Sequence, residues 1–197
     1  MGFLVTSHGR TATKFLAHLI NEKTNWTCRH EPAPFKREPA QKRLKQPYYG
    51  EVSAPIRWGA LELRVDRGAI IIRHPKQIIL SIYNRDIAKN KMTIQKELSQ
   101  LNESHKKLFR LIDKRTRYKI WTFHEMVTDH KYLESCIKEL GPDITLQPDD
   151  LAVRKNTYMK AYQMFEDLPQ WIQDETMRQA GWVIDEMERR GLNIKEK

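Results

Sequence analysis

Residues 69–73, Ala-Ile-Ile-Ile-Arg, constrain the fold more than any other stretch of the chain. Four consecutive apolar residues, three of them β-branched, offer no polar face to solvent. A strand made of them must be covered on both sides, which marks a central strand of a parallel sheet. Pro75 follows where a first helical turn tolerates a missing N–H, and Ile78, Ile79, Ile82 and Tyr83 continue at helical spacing.

The same alternation recurs along the chain. Residues 2–6 form a short apolar run, 7–11 a loop, and Phe15, Leu16, Leu19 and Ile20 one face of a helix. Residues 26–30 read as a second strand. Ile94, Leu98, Leu101, Leu108, Phe109 and Ile112 predict a long amphipathic helix. A strand over 118–123 and a helix over 131–140, stopped by Gly141-Pro142, come next. Ile172, Ala180, Val183, Ile184 and Met187 line a last helix, with Gly191 as its C-cap. Residues 31–66 read as irregular and basic, because four of the nine prolines fall within 31–48. These elements predict one α/β domain over 1–197: a central, mostly parallel sheet between two helical layers, with 142–197 as a C-terminal helical extension.

The formal charge of +10 implies an anionic partner. The two cysteines, Cys28 and Cys136, are far apart and form no CxxC, so neither a disulfide framework nor a zinc ribbon is expected. No stretch approaches the roughly 20 apolar residues of a membrane span. The start lacks the basic lead-in and apolar core of a signal peptide, so a cytoplasmic protein is expected. His124-Glu125-Met126-Val127-Thr128 fails H-E-x-x-H, His105 falls on the apolar stripe of its helix as a packed histidine, and no metal-ligand constellation emerges.

In an open α/β sheet, ligands bind beyond the carboxyl ends of the strands. The first such end reads Ser7-His8-Gly9-Arg10-Thr11-Ala12-Thr13-Lys14. Small and hydroxyl-bearing residues let backbone N–H groups curl around an anion, and the helix N-terminus adds partial positive charge. Walker's G-x-x-x-x-G-K-[ST] is absent. Taken alone, a capped helix start with incidental charges explains this loop equally well. The central strand gives an independent signal: Arg73 at its carboxyl end and Ser81 two helical turns later can share one phosphate, the guanidinium as a fork and the hydroxyl as a donor.

Together the two motifs resemble the PAPS-dependent sulfotransferase family. Gly9-Arg10-Thr11-Ala12-Thr13-Lys14-Phe15-Leu16 is similar to its 5′-phosphosulfate loop. Ile72-Arg73-His74-Pro75 through Ser81-Ile82-Tyr83 is similar to its 3′-phosphate motif. Weaker echoes are Arg29-His30-Glu31-Pro32, Gly50-Glu51-Val52-Ser53-Ala54-Pro55 and Thr122-Phe123-His124-Glu125. Ala12 stands where the family usually has Gly, and the C-terminal Arg-Lys-Gly cofactor loop is not evident, with Arg154-Lys155 as its substitute.

The resemblance implies a P-loop-like sulfotransferase architecture and transfer of a sulfuryl group from PAPS to an acceptor hydroxyl or amine, releasing PAP. By analogy with phosphoryl transfer, catalysis would rest on positioning and electrostatics, without a metal. Arg10 would stabilise charge as the bond breaks. His8, Gly9 and the amides and hydroxyls of Thr11, Ala12, Thr13 and Lys14 would hold the 5′-phosphate, and Arg73 and Ser81 the 3′-phosphate. Glu31 is the first candidate for the acceptor's base, His30 the second, and His8 a third facing the same crevice. The acceptor would be a small molecule or carbohydrate, and the basic segment suits an anionic one. Trp58 is a lesser candidate for an adenine or acceptor contact.

Two other classes compete. A small kinase with a degenerate phosphate loop lacks the Walker Lys and a clear Mg²⁺-binding Asp. A nucleic-acid-binding module would use residues 29–45, six Lys/Arg against two Glu, but no RRM, KH, zinc-finger or helix-turn-helix signature accompanies them. No nucleic-acid partner is therefore expected.

Overall fold

A computed structural model describes residues 2–9, 11–32, 37–53, 63, 65–84, 91–114, 118–152 and 164–192. Its centre is a parallel sheet of five strands: β1 (Phe3–Ser7), β2 (Thr27–His30), β3 (Tyr49–Ser53), β4 (Arg67–Ile72) and β5 (Tyr118–Thr122). Their spatial order is β2-β3-β1-β4-β5. The helices are α1 (Thr13–Lys23), α2 (Arg37–Leu44), α3 (Pro75–Asn84), α4 (Lys91–Lys114), α5 (Phe123–Thr128), α6 (His130–Leu140), α7 (Pro148–Ala152) and α8 (Gln170–Arg189), with a 3₁₀ turn at Phe165–Asp167 before the last.

The continuous apolar runs divide by period-two alternation. Leu4, Ile70 and Ile72 face one layer with Ile78 and Ile82 of α3, Leu98 and Leu108 of α4, and Val183 of α8. Phe3, Val5, Ala69 and Ile71 face the other, against Leu16 and Ile20 of α1 and Leu133 and Ile137 of α6. The sheet is thus covered on both faces, as the Ile run requires. Among the described residues, no helix is long and apolar enough to cross a membrane.

The stretch read as irregular, 31–66, contains two elements that the sequence reading missed. Pro39 stands at the third position of α2, where its missing N–H costs no helical bond. β3 lies between β2 and β1 and is buried along its whole length. It carries Gly50 because a Cβ there would sit 2.1 Å from the Phe3 ring. It also carries a buried Glu51, held by Arg43 Nε at 2.6 Å and by the Tyr49 hydroxyl at 3.1 Å. Arg43, counted among the basic residues awaiting a partner, is therefore committed inside the protein.

Candidate functional site

β1 connects leftward in the sheet to β2 through α1, whereas β4 connects rightward to β5 through α3 and α4. Because α1 lies on one face and α3 and α4 on the other, β1 and β4 flank the switch point where the chain leaves in opposite directions. Ser7 pairs with Ile71. Extending that register puts His8 level with Ile72 and Gly9 level with Arg73. The two motifs read from the sequence are thus brought side by side at the carboxyl edge.

The loop's hydroxyls are directed inward. Ser7 Oγ and Thr11 Oγ1 each lie 2.8 Å from the His8 carbonyl oxygen and 2.5 Å from one another. Two hydroxyl protons serve these three contacts, and Thr11 is fully buried. The Thr11 hydroxyl therefore braces the loop, directed at the His8 carbonyl and the Ser7 hydroxyl. His8 is likewise held within the loop. Its ring is buried, with Nδ1 donating to the Gly9 carbonyl at 2.9 Å and the ring stacked on His105 of α4.

Beyond the brace, the chain turns sharply. Ala12 adopts a left-handed conformation, φ 56°, and opens α1 without any side-chain cap. Its carbonyl accepts the first helical bond from Leu16 N–H, which leaves the Thr13, Lys14 and Phe15 N–H groups pointing out of the helix end. No acidic residue lies in that turn, and Lys14 is exposed on it. Among the described residues, and chain neighbours aside, nothing lies within 4 Å of where a Cβ on Gly9 would be. α3 contrasts with this: the His74 ring nitrogen Nδ1 accepts from Lys76 N–H at 3.3 Å, capping its start.

Thr13 is buried and its Oγ1 lies 3.0 Å from His30 Nε2, at the end of β2. Glu31 Oε1 is 3.8 Å from the same nitrogen. Burial, opposed by Glu31 and assisted by Lys14, holds the His30 pKa below its ordinary 6.5, so the ring is neutral at pH 7. Glu31 has φ 47°, a second non-glycine residue in the left-handed region beside the loop. Strain of this kind concentrates where surrounding structure holds a functional geometry.

Arg73 stands just past the end of β4, its guanidinium carbon 4.1 Å from the centre of the Phe123 ring. Phe123 was read as the last residue of a strand; it is the first residue of α5, and the turn from β5 into that helix sets its ring under Arg73. Its partnership joins residues 50 positions apart, which local spacing does not reveal. Ser81 lies half-buried in the second turn of α3. Arg10, Trp58, Arg154 and Lys155 lie outside the described residues. Cys28 and Cys136 are buried with thiol pKa values pushed up to about 12, which removes them as nucleophiles near neutral pH. A groove of about 450 Å³ between α4 and α8, lined by Lys106, Phe109, Arg110 and Trp182 among others, shares no residue with the loop.

No protein-family model matches the sequence, and no curated protein does. The fold, however, has solved counterparts. A mouse sulfotransferase complexed with PAP is 15% identical, with a TM-score of 0.51; the match covers 77% of this chain and 62% of the mouse chain. The sulfotransferase domain of the Synechococcus PCC 7002 olefin synthase is 13% identical, with a TM-score of 0.51 and coverage of 93% and 94% respectively. Retinol dehydratase in complex with androsterone and the inactive cofactor PAP is 10% identical, also with a TM-score of 0.51, over 94% of this chain and 80% of that one. This chain has their fold, and it spans less than two thirds of the mouse enzyme.

Proposed function

We propose that this chain, which has the sulfotransferase fold, transfers a sulfuryl group from PAPS to an acceptor hydroxyl or amine. The observation that carries the reading is the β1–α1 loop, which leads into the uncapped N-terminus of α1 with Lys14 on its first turn, and whose Gly9 falls level with Arg73 across the β1–β4 switch point. A bisphosphate needs two cationic sites a nucleoside apart, and the start of α1 and the end of β4 would supply them.

The residues fit the donor. The outward N–H groups of Thr13, Lys14 and Phe15, with the Lys14 ammonium, would bind the 5′-phosphate end; Gly9 leaves the backbone approachable there. Arg73, held over Phe123, and Ser81 would bind the 3′-phosphate. Arg10 would neutralise charge as the leaving group departs. PAPS supplies the activated sulfuryl group; the chain's own residues bind, orient and move the proton. Glu31 would take that proton from the acceptor, with the neutral His30 beside it ready to share it. The acceptor would be a small molecule or carbohydrate.

A thermal-shift series with PAP, ATP, NAD and an oligonucleotide tests the reading. PAP alone should raise the melting temperature, without Mg²⁺, since stabilisation grows with ligand concentration over Kd. Stabilisation by ATP that needs Mg²⁺ would favour a kinase, and stabilisation by the oligonucleotide a nucleic-acid module; either result with no response to PAP overturns the proposal.

A further inference from the structure

The loop between β1 and α1 passes from one helical layer to the other. His8 leaves β1 with the parity of Leu4, on the α3–α4–α8 side, whereas α1 packs on the opposite face. A loop that crosses the sheet edge in this way needs an anchor in each layer to hold a single course. On the α1 side the anchor is the Thr13–His30 contact. On the other side it is the stack of His8 on His105, with ring centres 5.3 Å apart and planes inclined by 24°.

His105 is built as a fixed support. It is 1% exposed, and its Nδ1 donates to the Leu101 carbonyl one turn earlier at 2.9 Å. That bond sets both the tautomer and the ring plane. Nε2 then carries a lone pair, and among the described residues it has no hydrogen-bond partner. Phe109 lies one turn further along α4, 6.1 Å from the His105 ring, and Trp182 of α8 meets Phe109 edge-on at 6.1 Å. The support therefore extends through two helices. Burial, with His8 as neighbour, lowers the pKa of His105 to about 3, so the supporting ring is uncharged at neutral pH.

We infer that His105 is a positioning residue for the anion-binding loop and acts through His8. The His8 carbonyl is the acceptor on which Ser7 and Thr11 converge. Fixing the His8 ring fixes the peptide that carries this carbonyl, and with it the direction of the N–H groups that follow. The inference rests on the reading of this loop as the anion site, but its first test does not.

The test compares His105→Ala, His105→Phe, His8→Ala and the double alanine variant. The first measurement is amide hydrogen exchange without ligand; the second is PAP affinity by calorimetry. An aromatic pair of this kind is worth up to about tenfold in a local equilibrium, so His105→Ala should speed exchange of the Gly9–Leu16 amides by about that factor while those of Val5 and Ile71 keep their protection. PAP affinity should fall by a similar factor, about tenfold. His105→Phe, which keeps a ring, should restore both, and the double variant should be no worse than either single one. His8→Ala leaves the α4 core intact and carries the same expectation if the His105 variants do not fold. Unchanged loop exchange, exchange raised uniformly across the sheet, or failure of Phe to restore it would each overturn the inference. A wild-type protein that binds no PAP would overturn the proposed function instead, and the exchange data would still decide the role of His105.

Discussion

Thr13 Oγ1 and His30 Nε2 lie 3.0 Å apart, so the first residue of α1 is tied to the last residue of β2. With His30 neutral, the hydroxyl can donate to a bare nitrogen and favour the uncharged ring. Thr13→Val should then raise the His30 pKa toward 6.5, followed by NMR titration of the imidazole. A downward move would show that His30 is the donor in this pair. Loss of one such bond should also cost about 1 kcal/mol of stability.

Ala12 holds φ 56°, a conformation that costs a residue with a Cβ about 1–2 kcal/mol. Ala12→Gly should therefore stabilise the protein by up to about 1 kcal/mol after the entropy of a freer unfolded chain is subtracted. Urea denaturation of the ligand-free protein reads this directly; a destabilised Gly variant would contradict the strain.

Arg73→Ala should weaken PAP binding by about 10- to 100-fold, the range for losing hydrogen bonds to a charged group. Ser81→Ala should cost less, since a neutral donor is lost. Phe123→Leu removes the ring under the guanidinium and should fall between wild type and Arg73→Ala. Circular dichroism spectra should match wild type throughout. Tight PAP binding by both Arg73→Ala and Ser81→Ala would remove the 3′-phosphate assignment.

Turnover separates the two candidate bases. Glu31→Gln should reduce kcat with little change in PAP affinity, because the side chain is assigned to the acceptor's proton and not to the donor. Unchanged turnover in Glu31→Gln would shift the role to His30.

Acid should loosen the fold before its carboxylates titrate. His105 has a folded pKa of about 3 against 6.5 unfolded, so its contribution is complete above 6.5 and is lost as pH falls below that value. The slope is at most about 1.4 kcal/mol per pH unit. His30, also lowered, acts in the same direction. Asp113, Glu134 and Asp150 are held down by Arg190, Lys138 and the Gln147 N–H with Lys23, and they begin to matter only below their ordinary values of 3.8 to 4.5. Melting curves between pH 7 and 4.5 should fall steeply for wild type and less steeply for His105→Phe.

The parts of this fold legible in the sequence are those in which one residue class does one job. Ile70, Ile71 and Ile72 can only be a strand covered on both faces, and Gly141, at φ 114°, stops α6 where Gly-Pro predicted. β3 was hidden because Tyr49-Gly50-Glu51-Val52-Ser53 carries a glycine and a carboxylate in a central strand, each made tolerable by a distant residue: Phe3 for the glycine and Arg43 for the carboxylate. The site divides in the same way. Lys14 and Arg73 stand out in the sequence by their positions after apolar runs. The inward turn of the Thr11 hydroxyl, the brace by Phe123 and the stack on His105 depend on contacts between chain segments that no local pattern encodes. Glu51 also supplies a stability test: removing one partner of a buried ion pair costs about 3–5 kcal/mol, so Glu51→Ala should lower the urea midpoint sharply.

β1 lies in the middle of the sheet although it comes first in the chain. Its hydrogen-bonding neighbours, β3 and β4, end at residues 53 and 72, and the ring that supports His8 comes at residue 105. During synthesis the loop therefore waits, without walls, until α4 has emerged. Parallel strands joined by long crossovers close slowly, so a segment made before its neighbours is among the last to acquire its shape, and a nascent chain that stalls before α4 has every loop residue but not the ring that supports His8.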